Sequence, residues 1–260
     1  MSVPVAIVGM HRSGTSLVAG LLAKAGVPLG DELLGANIHN PHGHHEDTAF
    51  LALHDRLLAA NGTDWTLAGA PADLEIPEAL RDEAARIVAR RAGAARGAAW
   101  GWKDPRTTVF LPLWEELLPD LRVVVVFRRA ATVAASLRRR RDPPLVHRFR
   151  GAWPLARLGL PMTRDGAILA MWRTYNLLAL EAGERLGERL AFVDADRLPE
   201  SWPALVAWLG DAGVPLAEID PAESLDPSLL RRRAPIDLEF RASRGRYRAM
   251  EAVLRASAIA

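Results

Sequence analysis

Residues 3–26 read VPVAIVGMHRSGTSLVAGLLAKAG, and this stretch decides the fold class. Its first part, Val3–Val8, is a continuous apolar run rich in β-branched residues, which is typical of a strand buried on both faces. A glycine-containing turn follows, and Ser16–Ala25 is apolar and helix-forming as far as Gly26. The order strand, loop, helix is the first half of a βαβ unit.

The same pattern returns at Arg122–Phe127 (RVVVVF), the clearest buried strand in the chain, which a polar turn joins to a helix predicted at Ala130–Arg140. Shorter strands are predicted at Ala98–Lys103 and Leu190–Asp194. The other predicted helices are Glu46–Ala60, Pro77–Arg91, Leu113–Leu118, Asp165–Leu186 and Trp202–Leu209. Apolar strands that alternate with helices predict an open parallel sheet covered on both faces, with ligands bound beyond the carboxyl ends of the strands.

Composition limits the classes of protein that this chain can be. Its 260 residues are 50% hydrophobic and 25% charged, which predicts a single globular domain over residues 1–260. The prolines and arginines of 143–163 indicate a lid or insertion, and residues 211–260 are taken as a C-terminal extension. A net charge of only +2 gives no reason to expect nucleic-acid binding. No apolar run is long enough for a signal peptide or a membrane span, so we expect a cytoplasmic protein without membrane insertion. The absence of cysteine excludes disulfides and thiolate chemistry.

The loop between the first strand and the first helix has the chemistry of an anion site. Backbone N–H groups at a helix start point outward, the helix dipole adds positive charge, and glycines allow close approach. Arg12 adds a full charge here. The spacing resembles a Walker A loop, but Thr15 stands where a nucleoside triphosphatase needs lysine. The alternative is a glycine turn capped by Ser13 that binds no ligand.

Three stretches resemble the sulfotransferases, and in particular a bacterial group of them. VAIVGMHRSGTSLVAGLL is similar to the 5′-phosphosulfate loop of that family, while NPHGHHED (40–47) and WGWKDPR (100–106) resemble two further family stretches. The resemblance covers about residues 4–210 and implies a P-loop-type parallel sheet flanked by helices, a three-layer sandwich. It also implies 3′-phosphoadenosine 5′-phosphosulfate (PAPS) as co-substrate and no metal. The loop residues that it assigns to this ligand are His11, Arg12, Ser13, Gly14, Thr15 and Ser16.

A second loop follows the strand RVVVVF and distinguishes this family from kinases. In sulfotransferases an arginine at the strand end and a serine eight residues later bind the 3′-phosphate of PAPS. Arg128 and Ser136 match that spacing. A guanidinium can fork onto phosphate oxygens while a serine hydroxyl donates from the next helix. This spacing alone is a weak signal in an arginine-rich chain, and Arg128 could simply end a strand in solvent. Arg129 is expected to be a neighbouring surface residue.

Candidate catalytic groups lie in the two remaining family stretches. Glu46 is the candidate general base, with His45 or His44 as alternatives; the structural alternative is that Glu46 and Asp47 only favour a helix N-terminus. Lys103, one of only two lysines in the chain, is expected to point at the sulfuryl or bridging oxygen. It could instead form an ion pair with Asp104 or Glu46. Arg12 would stabilise the transferring group from the opposite side.

Several assignments stay open at the level of sequence. The histidines at 39, 42, 44 and 45 are clustered, but without cysteine they do not make a convincing metal site. Trp172 and Tyr175 could contact adenine or the acceptor, although aromatic residues at helical spacing are usually core. The acceptor could be a small molecule, a glycan or a peptide. The rival functions are a P-loop nucleotide-dependent kinase and a non-catalytic nucleotide-binding scaffold.

Overall fold

The structure, a computed structural model, describes residues 2–35, 45–139, 164–224 and 245–259. The segment 143–163, predicted as a lid, lies outside these residues. The strands are β1 (Pro4–Val8), β2 (Trp100–Lys103), β3 (Arg122–Phe127) and β4 (Leu190–Asp194). The helices are α1 (Thr15–Lys24), α2 (Thr48–Ala60), α3 (Glu78–Ala95), α4 (Leu111–Leu117), α5 (Ala130–Arg139), α6 (Arg164–Leu186), α7 (Leu198–Asp211), α8 (Pro221–Ser224) and α9 (Gly245–Ala256). Short 3₁₀ helices are Pro105–Phe110, Gly187–Arg189 and Ala195–Arg197.

The described strands form a parallel sheet in the order β2-β1-β3-β4. The chain leaves β1 to one side to form β2 and returns to the other side to form β3, so the strand order reverses at β1 and β3. The loops that follow these two strands therefore open next to each other at the carboxyl edge of the sheet, where ligands of such sheets bind. The predicted fold class, a parallel sheet flanked by helices, is confirmed.

Both faces of the sheet are buried, because successive residues of each strand point to opposite sides. Val5 and Ile7 of β1 belong to one apolar core, which α1 and α7 complete. Ala6 and Val8 belong to the other core, which α2, α4, α5 and α6 cover. These two cores give the three layers that an all-parallel sheet requires.

Helix α2 begins at Thr48, two residues later than the sequence pattern predicts. Asp47 has extended backbone and caps the helix, since its carboxylate accepts a hydrogen bond of 2.9 Å from Ala49 N. The chain before it is held by an antiparallel bridge between Leu33 and Asp47, and Leu34 N donates to Glu46 O at 2.7 Å. Glu46 therefore lies on an extended segment outside the helix, with its backbone fixed by residues 32–34.

The last helix, α9, was not predicted from the sequence. Its apolar residues Tyr247, Met250 and Leu254 are buried at helical spacing, and this periodicity could have predicted it. After the helix, Ile259 N donates to Phe192 O at 2.9 Å. The described end of the chain thus packs against β4.

Candidate functional site

The loop after β1 is shaped by two glycines with positive φ. Gly9 has φ +125°, and a Cβ there would lie 2.2 Å from Val126 O on the adjacent β3. Gly14 has φ +98° at the start of α1, and its Cβ would lie 2.8 Å from the Cβ of Ala195. Gly9 N also donates to Thr108 Oγ1 at 2.9 Å. Only glycine fits this close approach between the loop, β3 and the residues after β4.

A hydroxyl group at the bottom of this loop is buried without a partner. Ser13 is fully buried, and its Oγ has no hydrogen-bond partner among the described residues. It precedes α1, whose first turn has no side-chain cap. Buried polar atoms are nearly always hydrogen-bonded in proteins, so an unpaired hydroxyl beside a helix N-terminus indicates that a ligand completes the site. The chemistry of the loop fits an anionic group.

The first and second loops meet in space. Arg12 Nε donates to Ser136 Oγ on α5 at 3.0 Å, although the two residues are 124 positions apart. Arg128, which directly follows β3, binds Asp196 instead, with its Nε 2.6 Å from Asp196 Oδ1. Arg129 Nε lies 3.4 Å from the other oxygen of the same carboxylate. Asp196 was not predicted from the sequence, where only the acidic pattern after β4 gives a signal for it.

Glu46 and Lys103 form a buried ion pair. Lys103 Nζ lies 2.6 Å from Glu46 Oε1, and the residues are 2% and 6% exposed. Burial raises the pKa of Glu46 above its ordinary value of 4.5, and the charge of Lys103 opposes that rise only in part. Burial likewise lowers the pKa of Lys103 below 10.5, against the opposing charge of Glu46. Burial therefore shifts the two pKa values toward each other, while the ion pair opposes both shifts.

The residues after Lys103 support this pair. His54 Nε2 accepts from Trp114 Nε1 at 3.1 Å, and since an indole N–H can only donate, the proton of His54 is on Nδ1. That proton is donated to Asp104 Oδ2 at 2.9 Å. Asp104 Oδ1 accepts from the backbone N and from Nη1 of Arg106, at 2.9 and 3.0 Å. Burial raises the pKa of Asp104, but Arg106 and His54 together hold that pKa well below its ordinary value.

His54 is a further member of the site that was not predicted from the sequence. It is fully buried on α2, within the apolar face that Phe50, Leu53 and Leu57 form. A single polar residue within an otherwise apolar helical face is the signal that could have identified it. Its role here is to fix the carboxylate of Asp104.

The neighbouring candidate base, His45, lies in a different place from Glu46. Its backbone has φ +52°, and its Nε2 would be 3.2 Å from a Cβ built on Gly20 of α1. The His45 ring thus packs against α1, whereas the Glu46 carboxylate points to β2. His44, the other alternative, lies outside the described residues.

Two aromatic residues considered for the ligand pocket belong to the core. Trp172 and Tyr175 on α6 are both fully buried. Trp172 Nε1 donates to Arg128 O at 2.9 Å, and Tyr175 Oη donates to Trp65 O at 2.7 Å. Burial raises the pKa of Tyr175 well above its ordinary range. Half-buried Trp65 lies closer to the loop after β1, with its ring 4.7 Å from that of His11.

Metal ligands and membrane spans can be assessed in the described part of the chain. No group of three or more His, Cys, Asp or Glu side chains there is arranged to hold a metal ion. His39, His42 and His44 lie outside these residues. Within the same ranges, no helix combines the length and the apolar character needed to cross a membrane.

The chain is similar in structure to several solved sulfotransferases. The sulfotransferase domain from the curacin biosynthetic pathway aligns over 98% of this chain and 97% of its own length, with a TM-score of 0.53 and 15% identity. The corresponding domain of the Synechococcus PCC 7002 olefin synthase aligns over 98% and 93%, with a TM-score of 0.50 and 17% identity. Sulfotransferase STF9 from Mycobacterium avium aligns over 85% of this chain and 66% of its own length, with a TM-score of 0.49 and 18% identity. Because the sequence identities are this low, the similarity to the curacin and Synechococcus domains shows a shared fold and nothing more.

No curated protein matches the sequence. The family assignment comes from a sequence model described as "Sulfotransferase family", which matches residues 4–150. The matched range includes both loops, the Glu46–Lys103 pair and β1 to β3. The chain belongs to the sulfotransferase family.

Proposed function

We propose that this protein transfers the sulfuryl group of PAPS to a hydroxyl or amine group of an acceptor. The observation that carries the proposal is the 3.0 Å hydrogen bond from Arg12 Nε to Ser136 Oγ. It makes the loop after β1 and the helix after β3 two walls of one site. A ligand with anionic groups at both its 5′ and its 3′ positions can bind across these walls, and PAPS is such a ligand.

The two anionic groups have separate sets of donors in this proposal. The 5′-phosphosulfate binds at the start of α1, where backbone N–H groups and the unpaired hydroxyl of Ser13 are available. The 3′-phosphate binds Arg128 and Ser136 at the carboxyl edge of β3. The residues proposed for the 5′ group are His11, Arg12, Ser13, Gly14, Thr15 and Ser16.

Glu46 is the proposed general base. It accepts the proton of the acceptor O–H or N–H as the acceptor atom forms its bond to sulfur. The bond between sulfur and the bridging oxygen breaks, and its electron pair leaves with 3′-phosphoadenosine 5′-phosphate (PAP). Lys103 and Arg12 stabilise the charge on the transferring group and on the leaving phosphate. Positioning and electrostatics carry most of such a reaction, since no covalent intermediate is needed.

The buried ion pair supports these roles. A carboxylate whose pKa is raised by burial is a stronger base at neutral pH than an exposed one. In this structure its partner is Lys103 at 2.6 Å. An anionic sulfuryl group beside Lys103 would compete for this ammonium and leave the Glu46 carboxylate able to accept a proton. His45, which packs against α1 at Gly20, is less well placed for that exchange.

The remaining expectations are also proposals. We propose that residues 1–260 act as one sulfotransferase domain, in line with the 98% of the chain that aligns with the two sulfotransferase domains. The acceptor is proposed to be a small molecule, a glycan or a peptide. Cytoplasmic location, activity without metal and the absence of nucleic-acid binding stay predictions from the sequence.

The cofactor is tested by isothermal titration with PAP and with 5′-AMP, without Mg²⁺. We expect PAP to bind at least ~100-fold more tightly, because 5′-AMP lacks the phosphate that Arg128 would bind. Arg128→Ala should remove most of that difference. Arg185→Ala, which removes an exposed arginine paired with Glu115, is the matched control and should keep it. Equal binding of the two nucleotides, or tighter binding of ATP with Mg²⁺, would overturn the proposal.

The base is tested by turnover. Glu46→Gln should lower kcat by about 10²- to 10⁴-fold, the usual contribution of a general base, while PAP still binds. Glu116→Gln changes an exposed carboxylate on α4 and should leave kcat unaltered. If His45→Gln causes the large loss and Glu46→Gln does not, the base is His45.

A further inference from the structure

A carboxylate outside the predicted site holds the arginine of the second loop. Asp196 Oδ1 accepts from Arg128 Nε at 2.6 Å, and its other oxygen lies 3.4 Å from Arg129 Nε. Side-chain exposure is 13% for Arg128 and 19% for Asp196, so water reaches this pair only in part. We infer that Asp196 is a positioning residue: it fixes the guanidinium of Arg128 in the orientation that binds a phosphate monoester. This inference rests on the proposed function.

The position of Asp196 is fixed by the sheet. β3 and β4 are paired in parallel with Phe127 opposite Asp194, so the residues that follow both strands leave the sheet at the same edge. Asp194 then turns the chain, because its Oδ1 accepts from Asp196 N at 2.9 Å at the start of the 3₁₀ helix Ala195–Arg197. The backbone of both partners is therefore determined before their side chains meet.

A contact at Nε has a geometric consequence for the guanidinium. The group is planar and carries five N–H donors in a rigid fork. A carboxylate oxygen on Nε fixes the plane of the fork and its rotation about the side-chain axis. Such a fixed fork loses less conformational entropy when it binds two phosphate oxygens.

The negative charge of Asp196 should weaken phosphate binding, whereas its hydrogen bond to Arg128 should strengthen it. The two effects can therefore be distinguished by experiment. A carboxylate beside Arg128 and Arg129 lowers the positive potential that attracts an anion. If its charge dominated, removal of Asp196 would tighten phosphate binding. If its hydrogen bond to Arg128 dominates, removal weakens binding of the 3′-phosphate and leaves the rest of the nucleotide unaffected. Oriented charged hydrogen bonds depend steeply on geometry, and at 2.6 Å we expect orientation to dominate.

The measurement is the ratio of the Kd of 5′-AMP to the Kd of PAP, by isothermal titration of the full-length protein. Asp196→Ala should reduce this ratio about tenfold, while the Kd of 5′-AMP changes less than about threefold. Asp196→Asn retains an oxygen that can accept from Nε, so it should keep the ratio within about threefold of wild type. Glu200→Ala removes another carboxylate nearby, which pairs with exposed Arg197, and is the matched control.

Kinetics give a second readout that a merely structural role would not change. Asp196→Ala should raise the KM for PAPS and leave kcat at saturating PAPS within about twofold, because the 3′-phosphate contact is the same in ground and transition states. Should Asp196→Ala not fold, as judged by its thermal transition, the inference is tested on Asp196→Ser, which also lacks the carboxylate. An unchanged ratio, or tighter PAP binding, in a folded variant would overturn the inference. A wild-type protein that does not distinguish PAP from 5′-AMP would instead overturn the proposed function.

Discussion

Glu46 and Lys103 are 57 positions apart in the sequence and form an ion pair that is almost entirely buried, with Lys103 Nζ 2.6 Å from Glu46 Oε1. Burial of both charges is costly, and removal of one partner would leave the other uncompensated. The pair is placed at the carboxyl end of β2, beside the loops where the ligand is proposed to bind. Its electrostatics lead to the first prediction.

Lys103→Gln should move the acid limb of the pH profile of kcat/KM to higher pH. Glu46 must be ionised to accept a proton, so the rate rises with pH through its pKa. Burial already raises that pKa above 4.5, and the charge of Lys103 is what opposes the rise. Without that charge the pKa rises further. Lys24→Gln, at the only other lysine and exposed at the end of α1, should leave the limb in place. A limb at the same pH in both variants would show that Glu46 is not the titrating base.

Gly9→Ala should prevent stable folding or lower the free energy of unfolding by about 3 kcal/mol or more, from a strained φ and overpacking together. The φ of +125° is unfavourable for alanine, and the new Cβ would lie 2.2 Å from Val126 O. Gly62→Ala is the control, since Gly62 also has positive φ but a Cβ added there would have no atom within 4 Å. It should cost only about 1 kcal/mol. Urea unfolding of both variants separates the steric clash with Val126 O from the strain of a positive φ. Equal losses of unfolding free energy in the two variants would argue against the clash.

Asp104→Asn should make the protein less stable at pH 7 by about 3 kcal/mol, because it removes the buried negative charge that pairs with Arg106 and accepts from His54. The pKa of Asp104 is lower in the folded protein than its ordinary value of 3.8. Its contribution to stability is therefore present above pH 3.8 and is lost as the pH falls below that value. The difference between wild type and variant in urea unfolding should narrow below pH 3.8. A difference that is independent of pH would contradict this origin, and exposed Asp120→Asn should show no difference at any pH.

Glu251→Ala should lower the free energy of unfolding by about 1 kcal/mol, as loss of a helix cap does. The Glu251 carboxylate on α9 accepts from Ala130 N, the first residue of α5, at 2.8 Å. Without it that N–H at the helix start loses this charged acceptor. Glu184→Ala, on the exposed face of α6, should change stability by less than about 0.5 kcal/mol. Equal stabilities for the two variants in urea unfolding would contradict the capping role.

The parts of the fold that the sequence predicts well are those with local signals. The apolar runs at β1 and β3 and the glycine loop after β1 are such signals, and both strands occur where they are predicted. Helix α2 begins two residues later than predicted because acidic residues are favoured both at the N-cap and in the first turn of a helix, so the sequence does not fix the first helical residue. Only the pairing of residues 32–34 with 46–48 decides that Asp47 is the cap. Helix α9 was missed because its apolar face follows a basic segment.

The candidate site also has some features that the sequence predicts and others that only the tertiary structure determines. Sequence by itself determined which residue types stand in the two loops, and that Glu46 and Lys103 are the candidate groups for proton transfer and charge stabilisation. It left open whether these residues meet. Tertiary structure alone decided that Arg12 reaches Ser136, that Arg128 is held by Asp196 and that His54 fixes Asp104. The physical reason is that a parallel sheet brings the ends of strands from distant parts of the chain to one edge, and no local pattern encodes which side chains pair there.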